Sequence, residues 1–231
     1  MIRNLVSILR SLLFYAVFYT LSVPYVLSAL AVMKLSVPTL RRIVRGWSHW
    51  HRLCCRYILG IKVELENPVF RSGVLYAVKH EAFFEAIEMP WLFLNPVVFA
   101  KAELLRIPGW GPAAARFGLI GVNRDGGAKA LRAMLSEARQ RIAEGRPLVI
   151  FPEGTRIPHG QRRALQSGFA GIYKLLGLPV IPVAVDTGAL YHRRWKQPGT
   201  VRYLFGEEIP PGLPREEIEA RVEAAINALN G

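Results

Sequence analysis

The sequence predicts an α/β fold: a mostly parallel sheet covered by helices on both faces, with an N-terminal membrane-embedded helix or helical hairpin. Three observations predict it. Four short β-branched runs are each bounded by Gly or Pro, as strands buried on both faces are. Apolar stripes at helical spacing lie between and after them. Near the start, Ser11 to Met33 is a run of 23 residues without a charge.

That run, 11-SLLFYAVFYTLSVPYVLSALAVM-33, is long enough to cross a bilayer core. Arg3 and Arg10 precede it, and Lys34, Arg41, Arg42 and Arg45 follow it. The heavier basic flank on the C-terminal side predicts the main domain on the cytoplasmic face. A single span is the simplest reading. A re-entrant or interfacial hairpin bent near Pro24 is the second, and a cleaved signal peptide ending near Ala29-Leu30-Ala31 the third. Residues 41–62 mix Arg, His and Lys with Trp47, Trp50 and Tyr57, a composition that suits a lipid headgroup interface. The predicted organisation is a membrane anchor over 1–40, a basic and aromatic interfacial segment over 41–62, and the main domain over 63–231.

The strands are read at 73-GVLYAVK-79, 96-PVVFAK-101, 147-PLVIF-151 and 179-PVIPVAV-185. Leu131, Leu135, Ala138 and Ile142 make one helical stripe, and Gly168 to Leu176 a shorter helix that Gly177 stops. Ile218, Val222, Ile226 and Leu229 make a third stripe near the C-terminus.

Of the 231 residues, 52% are hydrophobic, and 30 Lys and Arg against 17 Asp and Glu leave a net charge of +13. Such an excess favours anionic partners: membrane lipids, phosphorylated substrates or nucleic acid. No nucleic-acid motif accompanies the basic segment, so no nucleic-acid partner is expected. Cys54 and Cys55, the two cysteines, are adjacent and unsuited to a disulfide with one another. Two packed thiols in a reducing compartment are expected, acylation being the alternative, and no structural metal is predicted.

Polar residues gather just after the strands, where an open α/β sheet places its ligand crevice. His80 follows the first strand, and a carboxylate, Glu85, stands five residues on. Imidazole becomes a general base when a carboxylate fixes its tautomer. Five residues apart on one regular helix the two would not touch. The pairing therefore requires His80 in the turn entering the helix, with Glu81 and Glu88 as rival partners. In 151-FPEGTR-156, Gly154 suits a tight turn and Arg156 can grip a phosphate. Glu153 is expected to brace that arginine or the turn.

These blocks, in the order His80-x4-acid, 101-KAELLRIPGWG-111, 118-GLIGVNR-124, 151-FPEGTR-156 and 180-VIPVAV-185, resemble the lysophospholipid and glycerol-phosphate acyltransferase family. Its best-known members are the 1-acylglycerol-3-phosphate acyltransferases, and the resemblance covers residues 73–186. It implies an O-acyltransferase that moves an acyl group from a thioester to the free hydroxyl of a lysophospholipid, giving phosphatidic acid. Acyl-CoA or acyl carrier protein would be the co-substrate, with no other cofactor and no metal. By the same resemblance His80 is the general base and Glu85 its orienting carboxylate. Lys101, Arg124 and Arg156 surround the acceptor's phosphate, while Glu153, Gly154 and Thr155 shape that site. Main-chain donors near Gly154 would hold the thioester oxyanion, and Pro182 belongs to an acyl-chain or packing region.

Two departures from the family pattern stand out. Lys79 replaces the usual Asn before the histidine, and Glu85 the usual Asp; Gln166 stands where a Lys commonly follows FPEGTR, with Arg162 and Arg163 nearby. They leave open another acceptor, of a remodelling or ornithine-lipid type, or a non-catalytic lipid-binding role.

Overall fold

The computed structural model describes residues 2–123 and 127–230. The chain begins with helix α1 (Ile2–Val32) and helix α2 (Val37–Cys54), joined at 33–36. α1 runs through Pro24, so the chain does not reverse there; the reversal comes eight residues or more later. Ser36 sets that reversal by capping α2, its Oγ accepting from Thr39 N at 3.3 Å, and Pro38 fits the first helical turn, where a missing N–H costs nothing.

After α2 come β1 (Ile61–Glu66), β2 (Leu75–Val78), α3 (Phe83–Leu92), β3 (Val97–Lys101), α4 (Trp110–Phe117), β4 (Ile120–Val122), α5 (Gly127–Ala143) and β5 (Leu148–Ile150). The chain ends with α6 (Ser167–Leu176), β6 (Val180–Val185), the single turn α7 (Thr187–Leu190), β7 (Gly199–Phe205) and α8 (Arg215–Ile226). The seven strands among the described residues form one sheet in the order β1-β7-β6-β2-β5-β3-β4. β6, β2, β5, β3 and β4 run parallel, whereas β7 is antiparallel to β6 and carries β1 parallel to itself.

Period-two alternation divides the core into two layers. Tyr76, Val78, Val149, Ile181 and Val183 point to the face covered by the first three helices, where they meet Phe14, Phe18, Phe84 and Met89. Leu75, Ala77, Leu148 and Ile150 point the other way, against Leu135 and Ala138 of α5, Phe169 and Ile172 of α6, and Ile218 and Val222 of α8. The predicted two-sided α/β sheet is therefore present, and Gly177 caps α6 in the left-handed region at φ +64.

α1 joins the core along one stripe and leaves the rest of its surface bare. Phe14 and Phe18 are buried, stacked on each other at 5.3 Å, and Phe18 stacks on Trp47 of α2 at 5.9 Å. Leu9, Leu12, Leu13, Tyr19, Val23 and Leu27 remain exposed. Leu5–Val32 is long and apolar enough to cross a membrane. Within residues 41–62 Tyr57 is exposed, while Trp47 and Trp50 turn partly into the core and Trp47 Nε1 donates to Ser22 Oγ at 2.9 Å.

Candidate active site

β2 is central, with β5 on one side and β6 on the other, so their C-terminal ends open one crevice. Lys79 and His80 leave β2, the FPEGTR turn leaves β5, and Asp186 and Thr187 leave β6. Three stretches far apart in sequence thus converge on one edge.

His80 lies in the turn ahead of α3, as the pairing requires, and its Nδ1 is 2.8 Å from Glu85 Oε1. The local reason is the missing cap on α3. The N-cap position is Ala82, which has no side-chain acceptor for the first N–H groups of the helix. Glu85 reaches back instead: its Oε1 accepts from Glu81 N at 2.5 Å and Ala82 N at 2.6 Å. Its Oε2 accepts from Thr187 Oγ1 at 2.7 Å. A fully buried carboxylate with four donors is thereby held in one orientation. With Glu85 accepting, Nδ1 carries the proton and the Nε2 lone pair is the basic one. The imidazole also stacks on Phe151 at 4.4 Å.

The rival carboxylates are engaged elsewhere. Glu81 takes His159 Nδ1 at 3.0 Å and Gly188 N at 2.7 Å. Burial pushes the Glu81 carboxyl up, against the pull of those two donors. Glu88 lies 3.2 Å from Arg52 Nε and 3.7 Å from His51 Nδ1.

The FPEGTR turn closes with Gly154 N donating to Phe151 O at 2.9 Å, and Gly154 has φ +65, a conformation that a side chain would strain. That bond commits the Gly154 N–H to the turn itself. Glu153 does not brace Arg156. Its Oε1 accepts from Lys79 Nζ at 2.6 Å and its Oε2 from His80 N at 3.2 Å. Arg156 lies instead over the Phe83 ring, 4.0 Å from its centroid. Thr155 is half-buried beside it. Ile157 N donates to His80 O at 2.8 Å, pinning the turn to the histidine. Lys101 is exposed at the end of β3, two strands from β2, and Arg124 lies outside the described residues. Among the described residues no group of three or more His, Cys, Asp or Glu is placed to hold a metal ion.

Residues 60–186, more than half the chain, match the family model described as Acyltransferase. The chain belongs to the acyltransferase family. The 1-acyl-sn-glycerol-3-phosphate acyltransferase of Pseudomonas aeruginosa is 30% identical over 192 residues, which are 81% of this acyltransferase and 73% of that protein. The protein of the same name from Cocos nucifera is 27% identical over 158 residues, 64% of this chain and half of that protein. The crystal structure of the 1-acyl-sn-glycerophosphate acyltransferase PlsC from Thermotoga maritima shares the fold, with a TM-score of 0.70 at 23% identity over 96% of both chains.

The acyltransferase fold exposes roles that no short motif signals. Thr187 stands 102 residues from Glu85, and Asn227, at the end of α8, accepts from Lys79 Nζ at 2.8 Å across 148 residues. Lys79 is fully buried and joins β2, the FPEGTR turn and α8. Burial pushes the Glu153 carboxyl up and the Lys79 ammonium pulls it back. Removing one partner of such a pair leaves an uncompensated charge. Lys79→Met is therefore expected to cost about 3–5 kcal/mol in denaturant unfolding, and adding Glu153→Gln to restore part of it. A single variant as stable as the wild type would refute this account of Lys79.

Both cysteines are buried, and burial pushes the Cys54 thiol up to about 11. The packed-thiol reading therefore fits this acyltransferase better than acylation, which needs an accessible thiolate.

Proposed function

We propose that the protein acylates the free hydroxyl of 1-acylglycerol-3-phosphate from an acyl thioester, giving phosphatidic acid, with His80 as general base. The contact of 2.8 Å between His80 Nδ1 and buried Glu85 Oε1 carries the proposal. The names of the relatives from Pseudomonas aeruginosa and Cocos nucifera support the acceptor.

In the proposed step Nε2 takes the hydroxyl proton as the acceptor oxygen bonds to the thioester carbonyl carbon. Glu85 stabilises the imidazolium so formed. The tetrahedral oxyanion collapses, the C–S bond breaks, and the thiolate leaves with the proton from Nε2. Main-chain donors just past Gly154, at Thr155 and Arg156, are the candidate oxyanion ligands. Arg156, Lys101 and Arg124 would meet the acceptor's phosphate. The bare apolar surface of α1 would place the enzyme in the membrane, and the basic flank after it would keep the domain on the cytoplasmic face.

The test is thiol release by detergent-solubilised protein from acyl-CoA and from acyl carrier protein thioesters, against a panel of lysolipid acceptors. Phosphatidic acid should be the product formed fastest. Faster turnover of a remodelling or ornithine-type acceptor would replace the acceptor, and no release with any of them would leave a lipid-binding role.

A further inference from the structure

Tyr191 to Lys196, the loop between α7 and β7, belongs to none of the motifs used above. With Phe83 it lines an open pocket of about 320 Å³ whose wall includes His192, Arg193 and Arg194. Lys196 is only 7% exposed, yet among the described residues no carboxylate pairs with it. Its ammonium sits 3.7 Å from the Tyr191 ring centroid and 5.4 Å from that of Tyr15, and donates to Tyr191 O at 3.0 Å. Burial pushes its pKa down to about 8. A desolvated cation without a counterion is costly, and an anion in the pocket would relieve it. Arg193 and Arg194 are exposed and likewise make no carboxylate pair among the described residues.

The loop is rigidly placed. Ser11 Oγ of α1 accepts from Lys196 N at 2.8 Å, Tyr15 Oη donates to Arg194 O at 2.6 Å, and His51 Nε2 lies 3.0 Å from Tyr191 Oη. Upstream, α7 begins at Thr187, the Glu85 partner. The loop follows β6, whereas Lys101 and the FPEGTR turn follow β3 and β5, and Arg156 of that turn reaches only as far as the Phe83 ring at the pocket's edge. Acyl transfer must bring two anionic substrates to one base, and cations on both sides of Phe83 keep their phosphates apart.

We infer that the pocket bounded by Phe83, Tyr191, Arg193, Arg194 and Lys196 seats a phosphate of the acyl-thioester donor, with Phe83 between it and the Arg156 that would meet the acceptor's phosphate. The inference rests on the acyl-transfer reading and names its donor class: a thiol borne on a phosphorylated pantetheine arm, as in CoA or acyl carrier protein.

Two variants test it, Arg193→Ala/Arg194→Ala and Lys196→Met, with free CoA and holo-acyl carrier protein titrated as binding probes. The affinity of the probe that binds wild type should fall about tenfold or more, the size of a lost charge-assisted contact. KM for the thioester should rise in step, and the penalty should shrink to under about threefold with S-acyl-pantetheine, which carries no phosphate. Lys196→Met should unfold at the wild-type temperature or above, because it removes a desolvated charge. Unchanged probe affinity, failure of wild type to bind either probe, or a rise confined to the acceptor KM would overturn the inference. So would a loss seen only in binding to anionic vesicles, or a lower Tm for Lys196→Met with donor affinity intact. Failure of the acyl-transfer reading is separable: wild type would then release no thiol, while the binding titrations would still decide the pocket.

Discussion

His80→Ala is expected to slow thiol release from the acyl thioester by about 10²–10⁴-fold, the range that a positioned general base contributes. The same variant should fold, for a structural reason. The imidazole is one of four donors to Glu85, and the other three, Glu81 N, Ala82 N and Thr187 Oγ1, remain. What is lost besides the proton acceptor is the stack on Phe151 and one hydrogen bond. Stability should thus change by about 1 kcal/mol. Vesicle binding should be unaffected, because the exposed apolar residues of α1 are untouched. Full activity in His80→Ala would remove the histidine from the mechanism. An unfolded variant would show that the imidazole is mainly structural.

The sheet and the motif positions were legible for different reasons. β2, β5 and β6 are buried throughout, so their apolar runs announced themselves. β1, β4 and β7 did not. IKVELE of β1 alternates charge with apolar residues, β4 has three residues, and β7 carries Arg202 in the middle of GTVRYLF. The antiparallel pairing of β7 on β6 follows from the path of the chain rather than from its composition.

At the site, the turn geometry of His80 followed from the five-residue spacing, because no regular helix would let the pair meet. The partner of Glu153 was not legible. FPEGTR places Arg156 three residues away, yet the buried cation that meets Glu153 is Lys79, 74 residues earlier. An aromatic ring, Phe83, takes the arginine instead. Lys79 was visible in the sequence as a departure from the family pattern, but its reason lies at Asn227 and Glu153, which only folding brings to it.

The other half of the departure at His80, Glu85, carries the other large expected effect. Its carboxylate does two jobs at once. Oε1 holds the His80 tautomer and closes the uncapped start of α3, and Oε2 anchors Thr187. In Glu85→Gln the amide oxygen can still accept from Nδ1 and the two main-chain N–H groups, and the Thr187 hydroxyl can turn to accept from the amide. The fold should therefore survive, while the imidazolium loses its counter-charge, and activity should fall by about 10²-fold or more. Glu85→Asp keeps the charge but withdraws the carboxylate by one methylene, about 1.5 Å. It cannot then span the helix start, His80 and Thr187 together. An orphaned main-chain N–H or Thr187 hydroxyl should cost about 1–3 kcal/mol as well as activity. The decisive comparison is between the pair: Gln stable but slow, Asp both slow and less stable. Wild-type turnover in Glu85→Gln would break the dyad, since a neutral amide cannot do the work assigned to the carboxylate. A fully stable, fully active Glu85→Asp would show that glutamate is interchangeable with the family's aspartate and that the site was not rebuilt around the longer side chain.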